Sequence, residues 1–161
     1  MISPILAPVF LSIHITYFHI MNANSFASVC SGITHEALTH LFDLSDVTLP
    51  FLGYRKAMPM YQIVRLEGEG NYTIFHFSDG TRLMVSITLK KLTSRLAPSV
   101  FARPHKKNVV NMLYLEESNP THQQLTVKLT NGDRIGVSRR KASDFFHQLE
   151  GFRQKVLELV A

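Results

Sequence analysis

Cysteine occurs once in this chain of 161 residues, at Cys30. A lone thiol cannot close an internal disulfide or build a cysteine-based zinc site, and it points to a reducing compartment, the cytoplasm. Basic residues are missing from the first third, because no Lys or Arg precedes Arg55. Residues 1–54 hold Glu36, Asp43 and Asp46 and carry a net charge of −3, whereas 17 cations and nine acids leave the remainder at +8. Such asymmetry suggests a polyanion partner for the second part. The chain also lacks a Gly-rich phosphate loop behind a strand, a serine elbow and an activated cysteine context. Glu67 and Glu69 are the nearest acidic pair of the basic half, but no Asp or His ligand pattern accompanies them. His35 and His40 stand five apart, which puts their imidazoles roughly 140° apart around a helix and unsuits them to one metal ion. The expectation is a non-enzyme without metal or cofactor.

The first 21 residues are apolar, yet Pro4, Pro8, His14 and His19 interrupt them and no basic flank marks a signal peptide or a membrane orientation. Three readings stay open: a membrane span, against which the flanks argue; a hydrophobic element packed on the domain or a partner; or translation beginning at Met21 or Met58. In residues 22–46, Ala37, Leu38, Leu41 and Phe42 follow a candidate Thr34 cap at helical spacing. Residues 48–60 contain Pro50, Gly53 and Pro59 without a sustained period and read as a linker. The domain boundary falls near Lys56, giving an N-terminal extension over residues 1–55 and a single domain over 56–161.

Beyond that point the pattern is that of strands. Residues 61–67 and 72–77 are rich in β-branched and aromatic side chains, and Ser78-Asp79-Gly80 signals a turn before residues 82–85. Ser86 is a candidate cap for a helix in which Leu89, Leu92 and Leu96 line one face, with Pro98 as its stop. The basic face of that helix, Lys90, Lys91 and Arg95, reads as solvated rather than DNA-facing. Residues 109–115 form another strand-length apolar run. Leu125, Val127 and Leu129 alternate before Asn131-Gly132, and Ile135 and Val137 alternate after it, the strongest short-range hairpin signal in the chain. Ala142, Phe145, Phe146, Leu149, Val156, Leu157 and Val160 fit a C-terminal helix, with Gly151 as a break or kink. The fold class is mainly β, α+β by count: a strand-rich domain with one internal helix and one C-terminal helix, preceded by a short helical or irregular extension.

Two basic clusters stand where strands meet turns. One is Arg103-Pro104-His105-Lys106-Lys107-Asn108, the other Ser138-Arg139-Arg140-Lys141, and apolar residues follow both. Cationic and amide side chains on anchored loops suit DNA, since Arg and Lys bond guanine edges or phosphates and Asn bonds adenine edges. Any one of them alone is a solvated charge just as well. The pair of clusters in one domain of net +8 favours binding.

Residues 66–73 (LEGEGNYT), Asp79-Gly80, the run from Leu89 to Leu96, Phe101-Ala102-Arg103-Pro104-His105-Lys106, Val110-Asn111, Asn131-Gly132 and Val137-Ser138-Arg139-Arg140 resemble, in order and spacing, the LytTR DNA-binding domain of bacterial response regulators. The resemblance covers about residues 60–150. It implies a β domain that inserts loops into successive major grooves of promoter DNA as a homodimer on paired repeats. It also implies that Asn71, His105, Lys106 and Arg139 contact bases or backbone, that Arg140 and Lys141 add phosphate contacts, and that Arg103 is either a phosphate clamp or structural. Where the family often has Ser and an aromatic residue, this chain has Lys107 and Asn108, which join the DNA-binding candidates and alter the expected preference. The first 55 residues cannot supply a receiver domain, so a sensor or receiver would act in trans. Two rivals remain: a membrane-attached regulator of the same type, and a nonspecific nucleic-acid or protein-interaction module.

Overall fold

The computed structural model describes residues 33–51, 53–120 and 125–160. Cys30 and the apolar opening segment lie outside the described residues. The elements run α1 (His35–Phe42), β1 (Val47–Phe51), β2 (Tyr54–Met58), β3 (Ile63–Glu69), β4 (Tyr72–Phe77), β5 (Arg82–Val85), α2 (Leu89–Thr93), β6 (Phe101–His105), β7 (Asn108–Asn111), β8 (Leu115–Pro120), β9 (Leu125–Leu129), β10 (Arg134–Gly136) and α3 (Arg139–Val160). All strand pairs are antiparallel. They form a five-stranded sheet in the order β5-β4-β3-β7-β6, a three-stranded sheet β10-β9-β8 and the hairpin β1-β2. The strand-rich fold with an internal and a C-terminal helix is the one expected.

The core follows from alternation along these strands. Ile63, Leu66, Phe75, Val109, Val110, Met112 and Leu129 are fully buried, joined by Leu92 of α2 and by Phe145, Leu149, Phe152 and Val156 at helical spacing on α3. Phe146, at the neighbouring angle, is only half-buried. Asn111 is buried without cost because its amide nitrogen donates to the Ile63 carbonyl at 2.8 Å and its oxygen accepts from Leu113 N at 3.0 Å. These bonds end β7 and start a 3₁₀ turn, Met112–Tyr114, so the single run expected at 109–115 is two strands joined by a turn.

Three local expectations need correction. Residues 48–60 are largely a β-hairpin rather than a linker: Val47 and Leu49 point into the core, Thr48 and Pro50 point outward, and Pro50 pairs with Arg55. Proline is tolerated because both strands of a two-stranded sheet are edges, and it hid a short period-two signal. The internal helix is capped by Thr88, whose hydroxyl accepts from Lys91 N, and not by Ser86; it ends at Thr93, before Leu96. Helix α3 runs through Gly151 unbroken, because glycine there costs only about 1 kcal/mol of propensity while Leu149 and Phe152 are buried on either side.

The extension packs on the rest. Leu38, Phe42, Leu44, Val47 and Leu49 enter the common core, the Phe42 and Phe152 rings stack 5.2 Å apart, and Ser99 Oγ donates to the Phe42 carbonyl.

Candidate nucleic-acid interface

The three predicted segments emerge at neighbouring strand ends. The first is the β3–β4 turn. Glu69 pairs with Tyr72, so Gly70 and Asn71 alone form the loop, and Gly70 takes φ +59°, the left-handed conformation a two-residue hairpin turn demands. Asn71 is exposed at its tip.

The second is the β6–β7 turn. His105 pairs with Asn108, leaving Lys106 and Lys107 as the loop, and both are exposed. Arg103 Nη2 donates to the Lys106 carbonyl at 2.6 Å, and Lys107 N donates to His105 Nδ1 at 3.2 Å. Arg103 therefore braces the turn through its backbone. With Nδ1 accepting, the proton of a neutral His105 ring sits on Nε2, where it serves as a donor. Asn108 is engaged inward, its side-chain oxygen accepting from Arg65 Nη1 at 3.3 Å.

The third is the start of α3. Arg139, Arg140 and Lys141 occupy its first turn and are exposed, and no acidic residue accompanies them. Cations at a helix N-terminus oppose the macrodipole and cost stability, so folding alone gives no reason for this placement.

Two backbone hydrogen bonds join the segments into one array. Gly68 N donates to the Lys107 carbonyl at 2.7 Å, tying the first hairpin to the second turn, and Ser138 N donates to the Pro104 carbonyl at 2.9 Å, tying the second turn to α3. The structure thus brings Asn71, His105, Lys106, Lys107, Arg139, Arg140 and Lys141 to one end of the sheets, with Arg103 bonded to the backbone of the second turn and Asn108 to buried Arg65.

Sequence reasoning missed the ionic cluster behind the array. Buried Arg65 donates from Nε to Asp133 Oδ2 at 2.6 Å and from Nη1 to Glu67 Oε2 at 2.9 Å, and His76 Nε2 lies 3.0 Å from the same Glu67 oxygen. Partial burial raises the carboxyls of Glu67 and Asp133, but the hydrogen bonds and charge of Arg65 outweigh it and hold both below their usual range. His76 is pushed down, first by burial and then by the Arg65 charge, against the pull of Glu67. Burial and the Arg65 charge thus favour the neutral ring, which donates to Glu67 in the tautomer that carries its proton on Nε2. The signal was there, an arginine between Val64 and Leu66 in an apolar strand, which demands a buried partner.

Among the described residues no group of three or more His, Cys, Asp and Glu side chains is placed to hold a metal ion, and no helix is long and apolar enough to cross a membrane. A family model described as the LytTr DNA-binding domain matches residues 55–150. Among solved structures, the LytTr DNA-binding domain of a putative methyl-accepting/DNA response regulator from Bacillus cereus is similar, at 25% identity and a TM-score of 0.57, covering 65% of this chain and 96% of that one. No curated protein matches the chain.

Proposed function

Since the chain belongs to the LytTR DNA-binding family, a DNA-binding rather than an enzyme family, we propose that it is a sequence-specific regulator of transcription that reads promoter duplex through the three joined segments. The observation that carries this reading is the pair of backbone hydrogen bonds, Gly68 to Lys107 and Ser138 to Pro104, which fix the segments against one another before any DNA arrives. Preorganised loops lose little conformational entropy on binding, and selectivity then rests on side-chain chemistry.

Asn71 and Arg139 suit base edges, the former adenine and the latter guanine, and the His105 Nε2 proton suits a base or phosphate oxygen. Lys106, Lys107, Arg140 and Lys141 suit phosphates, and they make affinity fall steeply with salt. Residues 56–161 are the DNA-binding unit and residues 1–55 an extension of it. The unit acts in the cytoplasm as a homodimer on paired repeats, without catalysis or cofactor, and a sensor or receiver in trans supplies its signal.

Replacing Arg139 with Ala tests the reading directly. Binding to a preferred duplex weakens by about 1–3 kcal/mol and binding to scrambled duplex changes little, as a base contact requires. Equal losses on both duplexes would reduce Arg139 to a phosphate contact and remove it from the reading set.

A further inference from the structure

Four of the cations outside the three segments share one side of the fold. Lys90, Lys91, Arg95 and Arg55 are all exposed, and none is ion-paired among the described residues. Solvation of the three on α2 was the reading from sequence, yet the fold places the start of that helix beside the array.

Gly68 is the meeting point. A Cβ built there would lie 3.3 Å from Leu89 Cδ2 and 3.7 Å from the Lys107 carbonyl, so the start of α2 packs on β3 next to the second turn and just before the first. Glycine is what allows this approach. Thr73 Oγ1 donates to the Ile87 carbonyl at 2.7 Å and fixes the segment entering α2 to β4, two residues past Asn71. Leu89 and Leu92 are buried, which leaves Lys90 and Lys91 on the outer surface of α2.

The charge continues away from the array. Arg95 and Arg55 line one open cleft of about 330 Å³ with Asp46, Val47, Thr48, Pro50 and Ile87. Ile87 therefore links the two halves: its carbonyl is tied to β4 beside Asn71, and the residue faces the cleft of the two arginines. Four cations run from the reading loops across α2 to the β1–β2 hairpin, with Asp46 the carboxylate lining the cleft of the two arginines and Asp43 lining a neighbouring cleft with Arg95.

We infer that Lys90, Lys91, Arg95 and Arg55 form a flanking band that holds duplex phosphates outside the sequence read by the loops. The inference rests on the DNA-binding reading above and extends its footprint onto α2 and the hairpin. Lys90 and Lys91 are point charges without a fixed fork, and all four cations lie outside the reading turns on a helix flank and a hairpin, so the band contributes affinity without base preference.

The test uses the full chain and two duplexes: a preferred repeat pair with one helical turn of arbitrary sequence on each side, and the same pair trimmed of its flanks. The variant carries Lys90→Gln, Lys91→Gln, Arg95→Gln and Arg55→Gln, with Arg139→Ala as a control for base reading and a Lys90→Arg, Lys91→Arg chain as the charge-conserving partner. At about 0.9 per phosphate contact, the quadruple variant lowers the log–log salt slope on the flanked duplex by about 2–3.6. It loses the gain that wild type shows from flanks and keeps its ratio of preferred to scrambled binding. The Lys-to-Arg chain retains the wild-type slope.

An unchanged slope and an unchanged flank gain, with Arg139→Ala still impaired on the preferred duplex, overturn the band while the loop reading stands. A collapse of the preferred-to-scrambled ratio in the quadruple variant overturns its phosphate role. Wild type that never prefers one duplex over another overturns the loop reading and the band together. Unfolding followed by circular dichroism confirms that the variant, altered only at exposed positions, keeps its fold.

Discussion

Replacing Arg65 with Met removes the cation that ties Asp133 of the β9–β10 turn to the five-stranded sheet. The arginine side chain is 11% exposed, whereas Glu67 and Asp133 are 37% and 35% exposed. Breaking a fully buried ion pair costs about 3–5 kcal/mol and an exposed pair contributes about 0–1. Here the cation is dry and both acids rehydrate in part, so two broken pairs together with the freed Asn108 oxygen cost about 2–3 kcal/mol. For a chain of this size that lowers Tm by about 4–12 °C. The sign with pH follows from the depressed carboxyls of Glu67 and Asp133. Their stabilisation is complete above the unfolded values near ~4 and is lost as pH falls through the lower folded values. Urea unfolding of wild type and variant at pH 7 and at pH 3 measures both effects. A loss below about 0.5 kcal/mol at pH 7, or an equal loss at both pH values, would refute the ionic account of the cluster.

Three further outcomes follow from the same structure. His76→Gln isolates a ring whose pKa is lowered by folding: the unfolded chain takes up its proton first, so wild type loses stability relative to the variant as pH drops below about 6.5, seen in urea midpoints at pH 7.5 and 5. Phe42→Ala destabilises the domain by about 3–5 kcal/mol in a single cooperative transition, because the ring is buried against Phe152; a separate early transition would show that α1 is not part of this core. Gly151→Ala stabilises α3 by about 0.5–1 kcal/mol in thermal unfolding, since nothing lies within 4 Å of the new methyl group.

Most of the fold was legible because strands with one buried face print their period on the sequence. Val127 and Ile135 pair across the Asn131-Gly132 loop as the alternation indicated, although the loop holds more residues than those two: Leu129 N donates to the Asp133 carbonyl. Legibility failed where the signal was too short or a single residue misled. Val47 and Leu49 give one period of alternation around prolines, and Gly151 announces a break that the packing of its neighbours overrides. For the candidate interface, clustered charge singled out Lys106 and Arg139, a local feature, whereas Asn71 entered only through the resemblance to the LytTR family. The partners of Arg103 and Asn108 were not legible, because each is set by folding: the Lys106 carbonyl for one and Arg65, 43 residues away, for the other. The position of Lys90 and Lys91 beside the array depends in the same way on the contact between Leu89 and Gly68.

The most direct test of the central claim is selection of the full chain on a randomised duplex pool, with the survivors retested by fluorescence anisotropy across salt concentrations. The account predicts an enriched motif in two copies about one helical turn apart, bound on the order of 10³-fold or more tightly than scrambled duplex. Survivors without a common motif, bound in proportion to salt alone, would contradict it and leave a nonspecific polyanion binder.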